Sequence, residues 1–457
     1  MSSLKPPQGG AQTFWARPAG QRRLRDWQAA IDGGDFTPAQ ALEALIERAR
    51  ARAEVTATAY VEFDADKLAD RLARVDPTQP LAGAPISIKD LFDVQGEVTR
   101  AASRVLGGNP PASHDAPAVQ RLRRAGALLT GRTNMSEFAF SGLGLNRHYG
   151  TPPNPFDSER ITGGSTSGGA ASVAFGLAAA TLGSDTGGSL RIPAAFCGLT
   201  GFKPSQASVP GEGAYPLAPS LDCVGPIATS VACCASLWSI LAERPLPALD
   251  TTPRPLRLAV AAGGLLSELD DAVDDGFEAA LAVLKAQGCH IERVSFTAID
   301  AALAINQQGG LVVPEAAALH REQLARAGAD YDPSIAERLK GGRDISAADY
   351  LQRLWPRAGW QRRFEQEMAG FDAVLLPTVA TLPPRRAELE DDAAFQRANR
   401  LALRNTSVFN YLDAASISLP YLATGAELPI GLMLSRPQGD DDALLQHACV
   451  VEAMLGR

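Results

Sequence analysis

Residues 161–193 read ITGGSTSGGAASVAFGLAAATLGSDTGGSLRIP, and they decide how the rest of the chain is interpreted. The stretch consists almost wholly of glycine, serine, threonine and apolar residues, with charges only at Asp185 and Arg191. Glycine loses more conformational freedom on folding than other residues, so two glycine-rich turns indicate backbone with unusual dihedral angles or a close approach to another group. We therefore expect a ligand or a chemical step at these turns.

Alternating elements in and around this stretch predict an α/β fold. A Gly/Ser turn precedes a helix of small residues over 169–178, a strand over 180–183, a second glycine turn and a helix beginning near Ser189. Ile86 and Ile88 alternate within residues 84–94, and an apolar run within residues 126–135 ends in polar residues. Both segments predict strands that deliver polar side chains at their ends. Strands that alternate with helices are typical of the α/β class.

The composition is that of a globular protein and argues against several kinds of partner. The chain has 457 residues, of which 46% are hydrophobic and 21% charged, and its formal net charge is −8 at pH 7. Because no long basic run is present, we expect a small-molecule substrate and no nucleic acid. The N-terminus lacks the apolar core of a signal peptide, and the apolar stretch 170–183 is too short to span a bilayer. We therefore expect no membrane association and a cytoplasmic location.

The cysteines and histidines predict neither disulfides nor a metal site. The six cysteines show no CxxC spacing, so we expect buried free thiols. The five histidines form no HExxH or similar ligand spacing. We expect no metal and no cofactor.

Several chemistries could require two glycine turns that carry serine. A phosphate-binding loop would show GxxxxGK[ST] or GxGxxG, and neither motif occurs. A serine hydrolase with a histidine base would show GxSxG, which is also absent, although sequence separation alone does not exclude a distant histidine. Close packing of a helix on a sheet explains Gly176 and the alanines but not the serines. A third functional interpretation is a serine nucleophile activated without histidine.

Three motifs, in order along the chain, match a known family. PISIKD carries Lys89 at a predicted strand end, Gly163-Gly164 precedes Ser165, and DTGGSLRIP carries Ser189 24 residues after Ser165. With this spacing the chain resembles the amidase signature family, and FCGLTGFKPS, SLDCVGPIATSV, FDAVLLPTVATLPP and LPIGLML are similar to later segments of that family. The resemblance implies an α/β fold with a large mixed central β-sheet covered by helices on both faces.

The resemblance also implies a role for each motif in cleaving a carboxylic amide. Ser189 is the expected nucleophile, Ser165 relays its proton and Lys89 is the final base, with a cis peptide bond before Ser165. A lysine accepts a proton only when its neutral form is populated, so the pKa of Lys89 must fall toward 7 or 8. Without the resemblance, Lys89 could be a solvated charge at a strand end and Ser165 a helix N-cap.

The backbone next to the expected nucleophile is implied to stabilise the oxyanion of the tetrahedral intermediate. The amides of Thr186, Gly187 and Gly188 would converge on that oxygen, assisted by the positive end of the following helix. Asp185 and Arg191 are expected to brace the loop rather than to react.

The resemblance leaves the substrate and the assembly open. Ala139, Phe140 and Ser141 fall where a relative places substrate-lining residues, although an aromatic residue such as Phe140 could equally belong to the core. One alternative is the glutaminase subunit of a tRNA-dependent amidotransferase, which works only in a complex. Another is a family member that cleaves carbamates or esters. A homodimer is also an open alternative.

The extent of the resemblance divides the chain into an N-terminal extension over 1–35 and a single domain over 36–457. Thr37, Pro38 and Gln40 fit the start of a helix with a capping box. The core of the family resemblance covers about 80–240. A proline-rich connector over 244–255 is interpreted as an internal link, because a strand pattern resumes directly after it.

Overall fold

A single mixed β-sheet forms the centre of the protein in this computed structural model, which describes residues 10–456. Within that range the sheet has eleven strands: β1 Tyr60–Glu62, β2 Pro85–Lys89, β3 Leu128–Thr133, β4 Ala180–Asp185, β5 Thr200–Lys203, β6 Cys223–Ala228, β7 Arg257–Ala261, β8 His290–Val294, β9 Ala373–Pro377, β10 Ala415–Tyr421 and β11 Ile430–Arg436. Their order is β1-β3-β2-β4-β6-β5-β10-β11-β9-β7-β8. Strand β2 is parallel to β3 and β4, and β7 is parallel to β8 and β9, whereas the other pairs are antiparallel.

Helices lie in most of the segments that connect these strands. Those of the described residues are α1 Gly10–Ala16, α2 Leu24–Asp32, α3 Pro38–Ala51, α4 Ala53–Ala59, α5 Ala65–Leu72, α6 Pro117–Arg124, α7 Ser167–Ala174, α8 Arg191–Phe196, α9 Val231–Ala242, α10 Asp271–Ala286, α11 Thr297–Gln307, α12 Val312–Leu319, α13 Arg321–Ala327, α14 Pro333–Gly341, α15 Ala347–Leu354, α16 Arg357–Glu367, α17 Asp392–Tyr411 and α18 Asp441–Met454. None of them is long and apolar enough to cross a membrane.

The helices cover both faces of the sheet, as the alternation of side chains in β9 demonstrates. Leu375 belongs to a buried cluster that includes Phe277 of α10. Its neighbours Val374 and Leu376 belong to a second cluster, which includes Phe409 of α17. Successive side chains of a strand point to opposite faces, so both faces of this strand are buried. The predicted α/β fold with a large mixed sheet is confirmed.

The parallel pairing of β2 and β4 brings two of the sequence motifs together. Ile88 lies opposite Leu182 in this pair. The carboxyl ends of parallel strands lie at the same edge of a sheet, so Lys89 and Asp185 approach one another there. The helix α7 packs on β4, and the loop before it carries Ser165. All three motifs therefore lie at the same edge of the sheet.

The elements of the opening stretch differ in length from the prediction. Helix α7 ends at Ala174, four residues before the predicted end, because Gly176 adopts a left-handed φ of 72°. Strand β4 continues to Asp185, past the predicted end at residue 183. Helix α8 begins at Arg191 rather than near Ser189 and has six residues.

Other local predictions agree with the structure. The capping box at the start of α3 is present, with Thr37 accepting from Gln40 N and Gln40 accepting from Thr37 N. All six cysteines are buried free thiols. Residues 244–255 contain neither helix nor strand and lead into β7.

The described part of the predicted N-terminal extension packs against the rest of the chain. Phe14, Trp15 and Trp27 are buried in the largest hydrophobic cluster. Arg22 Nη2 donates to the last carbonyls of α7, at 2.9 Å to Val173 and 2.8 Å to Ala174. Residues 1–9 of the predicted extension lie outside the described residues, and the division into an extension and one domain stays a prediction.

Close packing of α7 yields a prediction about stability. A methyl group on Gly168 would lie 2.1 Å from the carbonyl oxygen of Ala59 and 2.6 Å from Asn134 N, and both atoms belong to backbone. We expect Gly168→Ala to lower the free energy of unfolding by about 1–3 kcal/mol or more. Gly359 in α16 has no atom within 4 Å of that position, so Gly359→Ala should raise the free energy of unfolding by up to about 1 kcal/mol. Urea denaturation of both variants would contradict this account if the two changes had the same sign.

Candidate active site

The amine of Lys89 is buried at the carboxyl end of β2 among hydroxyl groups. The side chain is inaccessible to solvent, with 0% of the residue exposed. Its Nζ lies 2.8 Å from Ser165 Oγ, 2.9 Å from Ser184 Oγ and 3.3 Å from the Ser184 carbonyl oxygen. Each neighbour is an oxygen that carries no formal charge, so the site does not pair the ammonium form directly with a carboxylate.

This environment favours the neutral amine. Burial lowers the pKa of Lys89 to about 7, although the carboxylates of Asp185 and Asp222 oppose the change. A neutral amine has two N–H groups and one lone pair. It can therefore donate to the two oxygens of Ser184 while it accepts the hydroxyl proton of Ser165. The three contacts around Lys89 therefore fit the two donors and one acceptor of a neutral amine.

Ser165 is held in a closely packed loop immediately before α7. The peptide bond between Gly164 and Ser165 is cis, as the resemblance implied. Ser165 is fully buried, and its carbonyl oxygen accepts from Ser136 N at 3.1 Å. A methyl group on Gly164 would lie 2.6 Å from Gly144 N, so the packing requires glycine there. The loop presents the Ser165 hydroxyl to Lys89.

Ser189 lies after β4 and faces a cavity rather than the buried amine. It is 3% exposed and lines a cavity of about 480 Å³. Thr166 N donates to the Ser189 carbonyl oxygen at 3.3 Å, which joins the two serine loops. Among residues 10–456, Ser189 Oγ has no hydrogen-bond partner, so Ser165 and Ser189 are not hydrogen-bonded to one another. Hydrogen bonds of a proton relay often tighten only when substrate is bound.

A buried ion pair fixes the loop that carries Ser189. Arg191 donates twice to Asp185, from Nη2 to Oδ1 at 2.9 Å and from Nε to Oδ2 at 3.1 Å. Burial is the largest single effect and would raise the pKa of Asp185, but the charge and hydrogen bond of Arg191, the charge of Lys203 and the Asn410 hydrogen bond together lower the pKa to about 2. Asp185 therefore carries a negative charge at neutral pH and has no proton to donate.

The same carboxylate corrects one expectation about the oxyanion donors. Gly188 N donates to Asp185 Oδ1 at 2.8 Å, and Leu190 N donates to Oδ2 at 3.1 Å. Gly188 N–H is therefore engaged and cannot serve as an oxyanion donor in this conformation. These two bonds also hold the backbone as a turn, which explains why α8 begins only after Leu190.

Three other amides of this turn point to no internal acceptor. In the described part of the chain, the N–H groups of Thr186, Gly187 and Ser189 make no hydrogen bond. Thr406 Oγ1 donates to the Gly187 carbonyl oxygen at 2.5 Å, which orients the neighbouring peptide. A group of unpaired N–H donors beside a serine hydroxyl can bind a carbonyl oxygen that gains negative charge.

The large cavity also contains the three predicted substrate-lining residues. Ala139, Phe140 and Ser141 line it together with Ser189. Arg338 of α14 reaches the same cavity, where its guanidinium lies 4.1 Å from the centroid of the Phe140 ring. The cavity thus has an apolar wall, the guanidinium of Arg338 and the nearby Ser189, and Arg400 and Arg404 also line it.

Several residues of the site lie outside the motifs that the sequence analysis used. Asn410 Nδ2 donates to Asp185 Oδ1 at 2.9 Å, and Asn399 Oδ1 accepts from Ser141 Oγ at 3.1 Å. Both belong to α17, in which Asn399, Thr406 and Asn410 are buried. Polar residues at helical spacing on a buried face are the signal that could have found them. In the described residues no cluster of His, Cys, Asp or Glu could hold a metal ion.

Comparisons with known proteins identify the family. The amidase family model matches residues 40–445. This chain belongs to the amidase family. A crystal structure of an amidase superposes on it with a TM-score of 0.85 and 33% sequence identity, covering 94% of this chain and 99% of the other.

Two curated relatives extend the comparison. The 2-amino-5-chloromuconic acid deaminase of Comamonas testosteroni is 32% identical over 89% of this amidase and 90% of its own length. A subunit of the glutamyl-tRNA(Gln) amidotransferase of Roseiflexus sp. (strain RS-1) is 31% identical, over 93% of this chain and 95% of its own. The family and these similarities confirm the expected class of enzyme, a hydrolase that cleaves amide C–N bonds.

Proposed function

We propose that this amidase hydrolyses a small carboxylic amide through an acyl-enzyme on Ser189, with Ser165 and Lys89 as the proton relay. The observation that carries the proposal is the 2.8 Å contact between the buried Lys89 Nζ and Ser165 Oγ. A neutral amine in this position can take the proton of a hydroxyl without a histidine. The cavity beside Ser189 supplies room for the substrate.

The first half of the reaction forms the acyl-enzyme. Ser189 Oγ attacks the amide carbon, its proton passes to Ser165, and the Ser165 proton passes to Lys89 Nζ. The carbonyl oxygen becomes an oxyanion within reach of the free N–H groups of Thr186 and Gly187. The C–N bond then breaks, and the leaving nitrogen receives a proton back through the same relay.

The second half regenerates the enzyme. Water attacks the ester on Ser189 and gives its proton to the relay, and the second oxyanion occupies the same donors. Ser189 Oγ leaves with a proton and the carboxylic acid is released. Asp185 and Arg191 take no proton in either half, because their ion pair only fixes the loop. Cleavage of carbamates or esters by the same steps stays a prediction.

Ser189→Ala tests the nucleophile. We expect turnover to fall by at least about 10³-fold, since no acyl-enzyme can form. A fluorophosphonate reagent should label Ser189, as determined by peptide mapping. Ser407 lines the same cavity, so the label should survive in Ser407→Ala and disappear in Ser189→Ala. Turnover within about tenfold of wild type in Ser189→Ala would refute the assignment.

The pKa of Lys89 sets the pH dependence that we expect for kcat/KM. Its amine is protonated below a pKa of about 7 and neutral above it, so kcat/KM should rise with pH through that region and then level off. Lys89→Arg should lose at least about 10²-fold in kcat/KM, because a guanidinium cannot deprotonate in the working range. Lys67 is exposed, and Lys67→Arg should keep the wild-type pH profile. Near-normal turnover of Lys89→Arg would show that only charge is needed there.

The substrate proposed for this site carries a carboxylate. Arg338 donates to the Phe140 carbonyl oxygen, and within the described residues no acidic side chain pairs with it. Burial lowers the pKa of Arg338 to about 10, so it is still charged at neutral pH. An unpaired cation in a cavity attracts an anion from the ligand. A relative is named as a deaminase of an acid, 2-amino-5-chloromuconic acid, which supports the same class.

Arg338→Met provides the test of this substrate class. For the monoamide of a dicarboxylic acid, such as succinamic acid, we expect KM to rise by about 10- to 100-fold, the range for loss of a hydrogen-bonded charge. For the neutral diamide of the same acid, KM should change little. Equal effects on the two amides in steady-state assays would contradict a carboxylate-binding role for Arg338.

The second candidate function is that of one component of a tRNA-dependent amidotransferase complex. The specific observation in its favour is the 31% identity to the Roseiflexus subunit over 93% of this chain. The purified chain should hydrolyse simple amides by itself if it is a free-standing amidase. Turnover that appears only after partner subunits are added would favour the second candidate.

A further inference from the structure

Asp222 is an acidic residue beside the site that the proposed reaction does not use. It immediately precedes β6, and the pairing of β6 with β4 sets Cys223 opposite Asp185. This register brings Asp222 next to Thr186. Thr186 Oγ1 donates to Asp222 Oδ1 at 2.5 Å, a short bond to a carboxylate.

The same carboxylate also fixes a turn in the cavity wall. Leu217 N donates to Asp222 Oδ2 at 3.0 Å, and Ala218 N lies 3.2 Å from each carboxylate oxygen. Leu217 lines the large cavity that contains Ser189, and it also lines a second cavity of about 320 Å³. That second cavity is bordered by Asp222, Thr186 and Ser184. One side chain therefore connects the wall between the two cavities to the turn that follows β4.

We propose that Asp222 is a positioning residue that orients the Thr186–Gly187 amides through the Thr186 hydroxyl. The proposal rests on the proposed function, in which these amides bind the oxyanion. The direction of a backbone N–H depends on how the residues on either side are held. Asp185 is held by Arg191, and the Gly187 carbonyl is held by Thr406. The Asp222 bond holds Thr186 between them, so the donors need no reorganisation when charge develops.

Asp222 also acts on Lys89 by its charge. Burial and the nearby Glu315 raise the pKa of Asp222 to about 6, against the bonds from Thr186 and the two backbone amides, so it is ionised at neutral pH. A negative charge near Lys89 favours the protonated amine. Removal of that charge lowers the pKa of Lys89 and moves the rise in kcat/KM to lower pH. Among the described residues, the titratable groups that interact with Asp222 include Lys89, Cys223 and Glu315.

Two variants separate the hydrogen bond from the charge. Asp222→Asn removes the charge. It also replaces one of the two acceptor oxygens by an NH₂ group, so the side chain can no longer accept from all three groups that donate to Asp222. Thr186→Val removes only the hydroxyl and preserves the branched shape. We expect each variant to lower kcat by about 10- to 100-fold with little change in KM, the range for one hydrogen bond to a charged group. The rise in kcat/KM should move to lower pH in Asp222→Asn and stay in place in Thr186→Val.

The controls address folding and independence. Asp441 is a buried carboxylate that accepts from Ser205 N at 2.8 Å and lines neither cavity. Asp441→Asn should therefore lower the melting temperature without lowering kcat. Thr186→Ser keeps the hydroxyl that Thr186→Val removes, so its kcat should be close to that of the wild type. The Asp222→Asn/Thr186→Val double variant should have a kcat little lower than that of either single variant.

The outcomes distinguish this inference from the proposed function. Wild-type kcat in Asp222→Asn, additive losses in the double variant, or an equal loss of kcat in Asp441→Asn would each overturn the positioning role. If Ser189→Ala is inactive while Asp222→Asn is fully active, only the role of Asp222 fails. If Ser189→Ala retains turnover, the proposed function fails regardless of Asp222.

Discussion

Burial of the Lys89 amine is the constraint on which the rest of the site depends. An ammonium group loses its hydration when it is removed from water, and without a directly bonded carboxylate the cost favours deprotonation. The oxygens of Ser165 and Ser184 satisfy the neutral amine but do not pair with its charge. A carboxylate in direct contact would stabilise the ammonium form. The positions of the acidic groups around Lys89 therefore affect its pKa.

The two nearby carboxylates satisfy this constraint in different ways. Asp185 is neutralised by Arg191, and its oxygens also accept from Asn410 and from the backbone of the loop. Asp222 accepts from a hydroxyl and from backbone amides, and no cation in the described chain pairs with it. The first carboxylate forms an ion pair, whereas burial raises the pKa of the second to about 6. Both carboxylates raise the pKa of Lys89, but burial outweighs them and lowers it to about 7.

The fold makes this arrangement possible by joining distant segments at one sheet edge. Strands β2 and β4 are parallel neighbours, so their carboxyl ends deliver Lys89 and Asp185 side by side. Helix α17 then contributes Thr406 and Asn410 from more than two hundred residues away in sequence. Because both faces of the sheet are covered, water is excluded from the amine. The packing that buries Lys89 therefore also lowers its pKa.

The sequence alone predicted the α/β class, because periodicity is a local property of the chain. Its three motifs, through their resemblance to the amidase signature family, implied the mixed sheet and the site residues Lys89, Ser165 and Ser189. It also predicted the capping box of α3, which depends only on residues 37–40. Only the tertiary structure decided that Gly188 N–H is engaged by Asp185 and that α8 begins after Leu190. Only the tertiary structure brought Asp222, Arg338 and Asn410 to the site. Such contacts depend on which strands pair and which groups are buried. Both depend on segments that are far apart in sequence, so the local pattern of one segment does not reveal them.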